Sequence, residues 1–404
     1  MSLQQPEFGE RLKALRAERG LSQQQLAGGG MSPGYLSRLE SGARPPTAKA
    51  AEYLAAQLGV STAEFRGPRS DSLAQALAIA SSTEDADRAL RVLEEALAAG
   101  APSEDYALQW QAMRVMSGFQ QDIGDREAQL HTLDQLVDLA DSIGTPELQV
   151  YSHVSRARCQ RALGQMEHAH ESAVQAVATA TAHGLPPRDT AGALMVLIST
   201  ETAVGNLIEA REHAAELGEL AQALGQVQQT EALWTAAHVH LRLGDQAGAA
   251  QRLGTALGLL DSRVSPLLWL RLRLAAASLH LQMSPRNLDV AEKCLMEAHP
   301  AVELVGSAVH QQEFTLLSAQ MAFYRGRLDE AGRRCAELAE TTPLLAYQDE
   351  LALKMLRSQL RVLGGEREEG TRELQTLAEE AQARGSIDLS KEIWRALAET
   401  LAQL

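Results

Sequence analysis

Aromatic residues are scarce in this chain of 404 residues, where they make up only 4% of the sequence. β-Branched residues are also sparse, whereas alanine, leucine, glutamine and glutamate are abundant. Because strands favour the scarce residue types and helices favour the abundant ones, the composition predicts an all-α fold. The chain is too long for one hydrophobic core, so we expect several domains or an array of repeats.

Cysteine is nearly absent as well, with only Cys159, Cys294 and Cys335, which lie far apart along the chain. Their spacing fits neither a disulfide framework nor a metal site, and it favours a reducing compartment. No apolar run approaches the ~20 residues that span a bilayer, and the N-terminus is polar rather than a signal peptide. We therefore expect a cytoplasmic protein that does not bind membranes.

Motifs for catalysis and cofactor binding are missing too. The chain contains no GxxxxGK[ST] or GxGxxG sequence, and Gly28–Gly30 is better explained as a turn. His168 and His170, like His238 and His240, are two positions apart, which places each pair on different sides of a helix. No nucleophile stands at a recognisable spacing from a base. The sequence predicts no cofactor, no metal and no enzymatic activity.

The net charge of −15 argues against nucleic acid at first reading, but the charge is unevenly distributed. Residues 1–69 carry nine basic and six acidic side chains, whereas the remaining residues carry 28 basic and 46 acidic ones. Only the slightly basic head is suited to phosphate groups, and we expect the acidic body to repel DNA.

The first 66 residues contain signals for five short helices. Phe8, Leu12 and Leu15 recur at the spacing of one helical face, and Gly20 ends this first helix. The starts of the later helices are marked by good N-cap residues, namely Ser22, Ser32, Thr47 and Ser61. A tight glycine turn joins the second helix to the third, which is the pattern of a helix-turn-helix module.

The segments FGERLKALRAERGLSQQQLA and MSPGYLSRLESGARPPT closely resemble the Xre-type (lambda-repressor-like) DNA-binding domain over roughly residues 7–66. The resemblance is specific because LSQxxLA, SxxYLSRLExG and RxPT occur in that order. It implies a structural salt bridge between Arg16 and Glu40. The positions that it implies for DNA contact are Gln23, Ser32, Pro33, Gly34, Tyr35, Ser37, Arg38, Arg44 and Thr47.

These positions have different implied roles. Gln23, Arg44 and Thr47 match contacts to backbone phosphate, whereas the residues from Ser32 to Arg38 match the recognition helix in the major groove. Tyr35 is either a phosphate contact or a packing residue.

Two departures from the family bear on base recognition. The turn at Gly28–Gly30 is one residue shorter than usual, so the turn is shorter or looser and the second helix can lose its last turn. Pro33 and Gly34 replace polar residues that often read base edges. Direct readout then depends on Arg38, Ser37 and Ser32. Since one arginine on guanine supplies only roughly 1–3 kcal/mol of discrimination, we expect a homodimer on a two-fold symmetric site in double-stranded DNA.

A repeat follows the predicted linker at residues 67–72 and occupies residues 73–404. Turns recur every 39 to 42 residues, near Glu84, Gly124, Gly164, Gly205, Gly244, Arg286, Gly326 and Gly365. Five positions later the residue is small in all units but one, as in Ala89, Gln129, Ala169, Ala210, Ala249, Ala291, Ala331 and Gly370. A small residue there lets the second helix of a unit approach the first closely.

This pattern resembles the tetratricopeptide repeat (TPR), lengthened to about 40 residues and lacking most of its large aromatic residues. It predicts a right-handed TPR-like superhelix of about eight helical hairpins. The terminal helix that caps the stack contains Ile393, Trp394, Leu397 and Leu401.

The first helix of each TPR-like unit lines the concave face of such a superhelix. In this register the groove positions are Arg114, Arg158, Arg161, Trp234, His238, His280, Gln320, Tyr324 and Gln359. Side chains of these types grip peptide backbone and carboxylate groups, and the arginines would attract an anion within an otherwise acidic body. The alternative is that they are ordinary packing or solvated residues.

An Xre-type head followed by a TPR-like array resembles the peptide-responsive quorum-sensing regulators of the Rgg, PlcR and NprR type. The resemblance implies a dimeric transcription regulator whose array senses a signalling peptide or another small effector and controls operator binding. Those regulators tend to grip a peptide backbone with asparagines, and here Asn206 and Asn287 both lie outside the groove positions. The alternative is an interaction scaffold whose array docks a protein and whose DNA-binding head is secondary.

Overall fold

The structure of the protein is a computed structural model that describes residues 5, 7–28, 31–65, 70–83, 85–99 and 105–403. Within these ranges the chain forms α-helices and one short 3-10 helix and contains no β-strand, so the predicted all-α fold is confirmed. Contacts divide the chain into two compact units, Met1–Thr83 with Arg91–Ala112 and Glu84–Leu90 with Met113–Leu404.

The head of the first unit contains the five predicted helices. They are α1 (Glu7–Glu18), α2 (Gln23–Leu26), α3 (Pro33–Glu40), α4 (Ala48–Leu58) and a 3-10 helix (Thr62–Phe65). The hydroxyls of Ser22, Ser32 and Thr47 each accept a hydrogen bond at 3.2 Å from a backbone N–H in the first turn of the following helix. α2 has only four residues, as the shortened turn predicted, and residues 29–30 lie outside the described residues.

A small apolar core holds the head together. Its fully buried members come from all five helices and include Phe8, Leu12, Leu15, Leu26, Leu36, Leu39, Leu54, Leu58 and Phe65. The rings of Phe8 and Phe65 are 5.1 Å apart, which fixes the 3-10 helix against α1. The helical face that the spacing of Phe8, Leu12 and Leu15 predicted is therefore the buried face of α1.

The later helices follow one another in chain order as hairpins with a final cap. They are α5 (Ser70–Ser82), α6 (Ala86–Ala98), α7 (Tyr106–Ile123), α8 (Arg126–Ile143), α9 (Pro146–Ala162), α10 (Met166–Ala182), α11 (Pro187–Val204), α12 (Leu207–Ala221), α13 (Gln226–Arg242), α14 (Gln246–Leu259), α15 (Pro266–Gln282), α16 (Leu288–Val305), α17 (Ala308–Tyr324), α18 (Leu328–Glu340), α19 (Tyr347–Leu363), α20 (Arg367–Ala383) and α21 (Ile387–Leu401). α5 begins at Ser70, inside the predicted linker, whose residues 67–69 lie outside the described residues.

The predicted register of the repeats is confirmed for the seven pairs from α7/α8 to α19/α20, while the first predicted turn, Glu84, lies outside the described residues. Six turn glycines have the left-handed φ that such turns require, namely Gly124, Gly164, Gly205, Gly244, Gly326 and Gly365. The residues five positions after the turns are buried. At Gly370 a Cβ atom would lie 2.7 Å from the carbonyl oxygen of Ser358 and 2.7 Å from a methyl group of Val362. The small residues therefore permit close contact between the paired helices.

Within the second unit the late repeats pack on the early ones. α9 contacts α19, and α11 contacts α21. Tyr347, at the start of α19, lies against Gly164 and shares an apolar cluster with Met166. Arg242 at the end of α13 forms an ion pair with Asp388 of α21 at 2.7 Å. The array thus turns back on itself, and the first helices of its repeats enclose an interior.

α21 caps the last repeat, as predicted, through Ile393 and Leu397, which are buried, and Leu401, which is partly buried. Trp394 of the same helix is 42% exposed. Ile393 and Leu397 are four residues apart and share a face, whereas Trp394 is one position further around the helix.

Candidate functional site: a nucleic-acid interface and a groove

A buried ion pair fixes α3, the predicted recognition helix, to α1. Arg16 donates from Nε and Nη2 to the two carboxylate oxygens of Glu40, at 2.6 and 3.0 Å. Burial opposes ionisation of Glu40, but hydrogen bonds from Arg16 and Gln23 outweigh this effect and lower the pKa of its carboxyl group. The salt bridge that the family resemblance implied is confirmed.

The opposite side of α3 is polar and open to solvent. Leu36 and Leu39 point into the core, whereas the exposed residues are Ser32, Pro33, Gly34, Ser37 and Arg38. A Cβ atom at Gly34 would have no neighbour within 4 Å, so the start of the helix is sterically accessible. The Arg38 side chain has no ion pair within the described part of the chain. This surface leaves one guanidinium group free for an external acceptor.

Arg44 and Thr47 lie in and after the loop that follows α3, and both are exposed. The guanidinium of Arg44 stacks on the ring of Tyr35 at 4.7 Å, and its backbone N–H donates to the carbonyl of Arg38 at 3.1 Å. Tyr35 also packs against the apolar core of the head. Of the two roles predicted for Tyr35, packing is thus realised in the structure, and it positions Arg44 beside α3.

Gln23 has a structural partner that the sequence did not predict. Its side-chain amide donates to Glu40 at 2.7 Å, where it supports the ion pair with Arg16. The phosphate contact expected of Gln23 stays a prediction, and the structure adds a role in holding α2 to α3.

In the second unit, four predicted groove residues come together in the interior. Arg161 of α9 interacts electrostatically with Arg158 and with His238 of α13. Trp234, also on α13, lies 5.9 Å beneath the guanidinium of Arg271 from α15. Helices two and three repeats apart can influence each other in this way only across the enclosed interior. The structure therefore places these residues near one another, and their role in binding a ligand stays a prediction.

Three further residues that were predicted to line the groove lie elsewhere in the array. Arg114 stacks on the ring of Tyr151 at 6.0 Å, and Gln320 is partly buried on α17. Tyr324 lies under the guanidinium of Arg286 at 4.0 Å, near α21. Arg114 is linked to the cluster around Arg161 through Tyr151, which interacts electrostatically with Arg158.

Two groove predictions were wrong, because the residues are packed away from solvent. His280 is 4% exposed and lies in the last turns of α15, where its neighbours Leu279 and Leu281 are also buried. Gln359 is 2% exposed and donates to Thr400 of the capping helix at 2.8 Å. The repeat register alone did not indicate that α21 would cover this position.

The register also missed five charged residues that face the same interior. They are Arg126, Glu231, Arg271, Glu313 and Asp349. Glu231 and Glu313 stand thirteen residues before their turns, one helical step beyond the outermost position considered. Extending the helical spacing by one turn would therefore have found both residues.

The interior carboxyl groups resist ionisation. Burial raises the pKa of Glu313 to about 7, with the charge of Asp349 acting in the same direction. Burial likewise raises the pKa of Asp349 to about 6, although Arg161 and Arg126 oppose the shift. Burial, Arg242 and Arg161 together lower the pKa of His238 to about 3, so this imidazole is neutral at physiological pH. The interior carries charged side chains, and the pKa values of Glu313 and Asp349 lie near neutral pH.

The cysteines are packing residues, as expected. Burial raises the pKa of Cys159 to about 12 and those of Cys294 and Cys335 to about 11, so all three remain thiols. In the part of the chain that the structure describes, no cluster of histidine, cysteine or acidic residues is arranged to hold a metal ion. None of the described helices combines the length and apolar character needed to cross a membrane.

Comparison with known proteins identifies the head. Residues 7–66 match the family described as "Helix-turn-helix domain". No curated protein sequence matches the chain. The N-terminal segment is thus a helix-turn-helix domain.

Solved structures resemble the chain over a greater length. The match to a Rap protein complexed with Competence and Sporulation Factor covers 98% of this chain and 97% of the Rap chain, at 12% sequence identity and a TM-score of 0.54. The two proteins therefore share a fold. The apo form of the quorum sensor NprR from B. thuringiensis gives a TM-score of 0.45, at 13% identity over 98% of this chain and 97% of its own. PlcR from Bacillus thuringiensis, solved in complex with the peptide PapR7 and DNA, gives a TM-score of 0.36 at 15% sequence identity. The match covers 65% of this chain and 98% of the PlcR chain.

Proposed function

We propose that the protein is a cytoplasmic transcription regulator that binds DNA sequence-specifically as a homodimer and whose array controls operator binding in response to a peptide or small effector. The observation that carries the proposal is the polar side of α3, where Arg38 is exposed and has no ion pair with any described residue, while Arg16 and Glu40 hold the helix against α1. A fixed helix with a free arginine is the arrangement that reads guanine in a major groove. The basic head carries this surface, whereas the body is acidic.

The effector role of the array rests on its enclosed interior. Arginines, a tryptophan and a neutral histidine converge there from helices that are distant in the sequence. The Rap protein with the same fold was solved with Competence and Sporulation Factor, which supports an array of this kind as a holder of effectors. An effector that binds one arrangement of the dimer more tightly than another shifts the affinity for the operator.

The proposal is tested by selecting binding sites from random duplex DNA with the full-length protein at physiological salt. We expect a two-fold symmetric motif to be enriched by the wild-type protein and lost with Arg38→Ala, whose single contact contributes roughly 1–3 kcal/mol per half-site. Arg211→Ala is the matched control, because Arg211 is an exposed arginine on α12, outside the head. Sedimentation of the complex on the selected site should give two protein chains per duplex.

The outcome that contradicts the proposal is weak, salt-sensitive binding without an enriched motif, unchanged by Arg38→Ala. That result would favour the interaction scaffold, in which the array docks a protein partner and the head is secondary.

A further inference from the structure

Gln5 lies two positions before α1, ahead of residues 7–66 that match the helix-turn-helix family. Its side-chain amide takes part in three hydrogen bonds. The Nε2 atom donates to the carbonyl oxygens of Leu39 at 2.9 Å and Arg44 at 2.7 Å, and the Oε1 atom accepts from the backbone N–H of Gly9 at 3.0 Å. One side chain thus joins the first turn of α1, the end of α3 and the loop that follows α3.

α1 approaches the end of α3 closely beside this glutamine. A Cβ atom at Gly9 would collide with the carbonyl oxygen of Leu39 and would lie 3.0 Å from that of Glu40. The ion pair of Arg16 with Glu40 holds the same two helices together one to two turns further along α1. Carbonyl groups at the end of a helix lack partners within the helix. Gln5 supplies a donor to one of them from a position that is itself fixed against α3.

Arg44 is exposed, yet three contacts hold it in place. Its backbone N–H donates to the carbonyl of Arg38 at 3.1 Å, its carbonyl accepts from Gln5, and its guanidinium stacks on the ring of Tyr35 at 4.7 Å. An arginine on an unrestrained loop loses backbone and rotamer freedom when it binds a ligand, and this loss opposes binding. In this loop much of that freedom is already lost in the free protein.

We propose that Gln5 is a positioning residue for DNA binding. Its hydrogen bond to the carbonyl group of Arg44 holds the guanidinium of that residue where it binds a backbone phosphate. The inference rests on the proposed DNA-binding function and adds a residue to it. In this role Gln5 acts through Arg44 and makes no DNA contact of its own. Phosphate contacts set affinity and orientation rather than base preference, so Gln5 contributes to affinity and leaves the preferred sequence unchanged.

The test is a double-mutant cycle of Gln5→Met and Arg44→Ala in the full-length protein, with affinity for the selected duplex measured by fluorescence anisotropy. Methionine keeps the length of the side chain and removes its three hydrogen bonds. We expect Gln5→Met alone to weaken binding roughly 5- to 50-fold, because both protomers of the dimer lose a fixed arginine. In the Arg44→Ala background the same change should weaken binding less than about 2-fold.

Two further readouts distinguish positioning from general damage to the head. Arg44→Ala removes one phosphate contact per protomer and should reduce the slope of log affinity against log salt by about 2, and Gln5→Met should reduce it in the same direction. The motif that Gln5→Met selects from random duplex DNA should be that of the wild-type protein. Gln57→Met is the matched control, because Gln57 is an exposed glutamine on α4 of the same head.

Gln5→Glu separates the two ends of the amide. A carboxylate still accepts from the N–H of Gly9, but it cannot donate to the carbonyl groups of Leu39 and Arg44. Its negative charge repels DNA whether or not Arg44 is present, so the effect of Arg44→Ala is what is compared. We expect Arg44→Ala to weaken binding much less in the Gln5→Glu background than in the wild-type protein. Circular dichroism melts verify that each variant is folded.

The possible failures are distinguishable. An unchanged affinity of Gln5→Met, or equal losses with and without Arg44, would overturn the positioning role and leave DNA binding in place. A different selected motif would also overturn it, because that result would show that α3 itself is displaced. If the wild-type protein binds no duplex, the regulator proposal fails and this inference fails with it.

Discussion

Arg38 and Glu40 are two positions apart on α3, and the helix turns one outward and the other inward. Glu40 is 8% exposed and bound by Arg16, whereas Arg38 is exposed and forms no ion pair within the described ranges of the chain. Periodicity predicts which residues of α3 are buried, and it indicates no buried acid there. The partnership of Arg16 with Glu40, 24 residues apart, came only from the family resemblance. Residue pairs that are distant in the sequence need a known fold to be predicted.

Glu40→Gln is expected to destabilise the head by about 1–3 kcal/mol at pH 7, because Arg16 loses its charged partner. The folded pKa of Glu40 is lowered, so its stabilisation is fully present above the ordinary value of 4.5 and is lost as pH falls through the lower folded value. Hydrogen exchange of α1 and α3 in the full chain should show a deficit for the variant at pH 7 that shrinks toward pH 3.

Glu52→Gln serves as the control, because Glu52 is exposed on α4 of the same head. It should change stability by less than about 0.5 kcal/mol at either pH. A deficit for Glu40→Gln that stays the same from pH 7 to pH 3 would show that the ionised carboxylate is not what stabilises the head.

The close packing of paired helices in the array depends on small residues. The turn glycines and the small residues five positions later predicted the hairpins from α7 to α20, because close approach within a pair depends on local sequence. What the repeat did not predict is how completely a helix is covered. The last turns of α15 are buried around His280, which explains why His280 packs rather than lines the groove.

Gly370→Ala is expected to lower the stability of the array by about 1–3 kcal/mol, since the added methyl group would meet Ser358 and Val362 at 2.7 Å. Gly332→Ala is the matched control in the interior of α18, where a Cβ atom has open space. That change should stabilise the array by up to about 1 kcal/mol through helix propensity. Urea unfolding of both variants tests the difference in sign, and equal effects would refute the close-packing argument.

At the scale of the whole array, late repeats are docked on early ones. A repeat pattern describes contacts between neighbours and says nothing of contacts several repeats apart, which depend on the small rotation accumulated from each unit. The contact of Tyr347 with the turn at Gly164 and the ion pair of Arg242 with Asp388 were therefore beyond prediction. The interior charges were missed partly for the same reason, because they meet only when the array turns back.

Tyr347→Ala is expected to destabilise the array by about 3–5 kcal/mol and to separate α19 from α9, because the ring that fills the contact is removed. The separation can be measured by pulsed electron resonance between spin labels on His168→Cys and Gln348→Cys, two exposed positions beside the contact. Trp394→Ala removes an exposed ring instead and should leave the label distance unchanged. An unchanged distance in Tyr347→Ala would mean that other contacts suffice to keep the array closed.

The docking of α19 on α9 also limits how this protein can evolve. An open solenoid gains or loses a repeat by duplication or deletion, because each unit needs only its neighbours. Here Tyr347 meets Gly164 only if the number of intervening repeats is right. Insertion of one unit would carry the partner surfaces past each other. The array is built from interchangeable parts, but their number between α9 and α19 is fixed, so new specificity has to arise by substitution within repeats rather than by adding them.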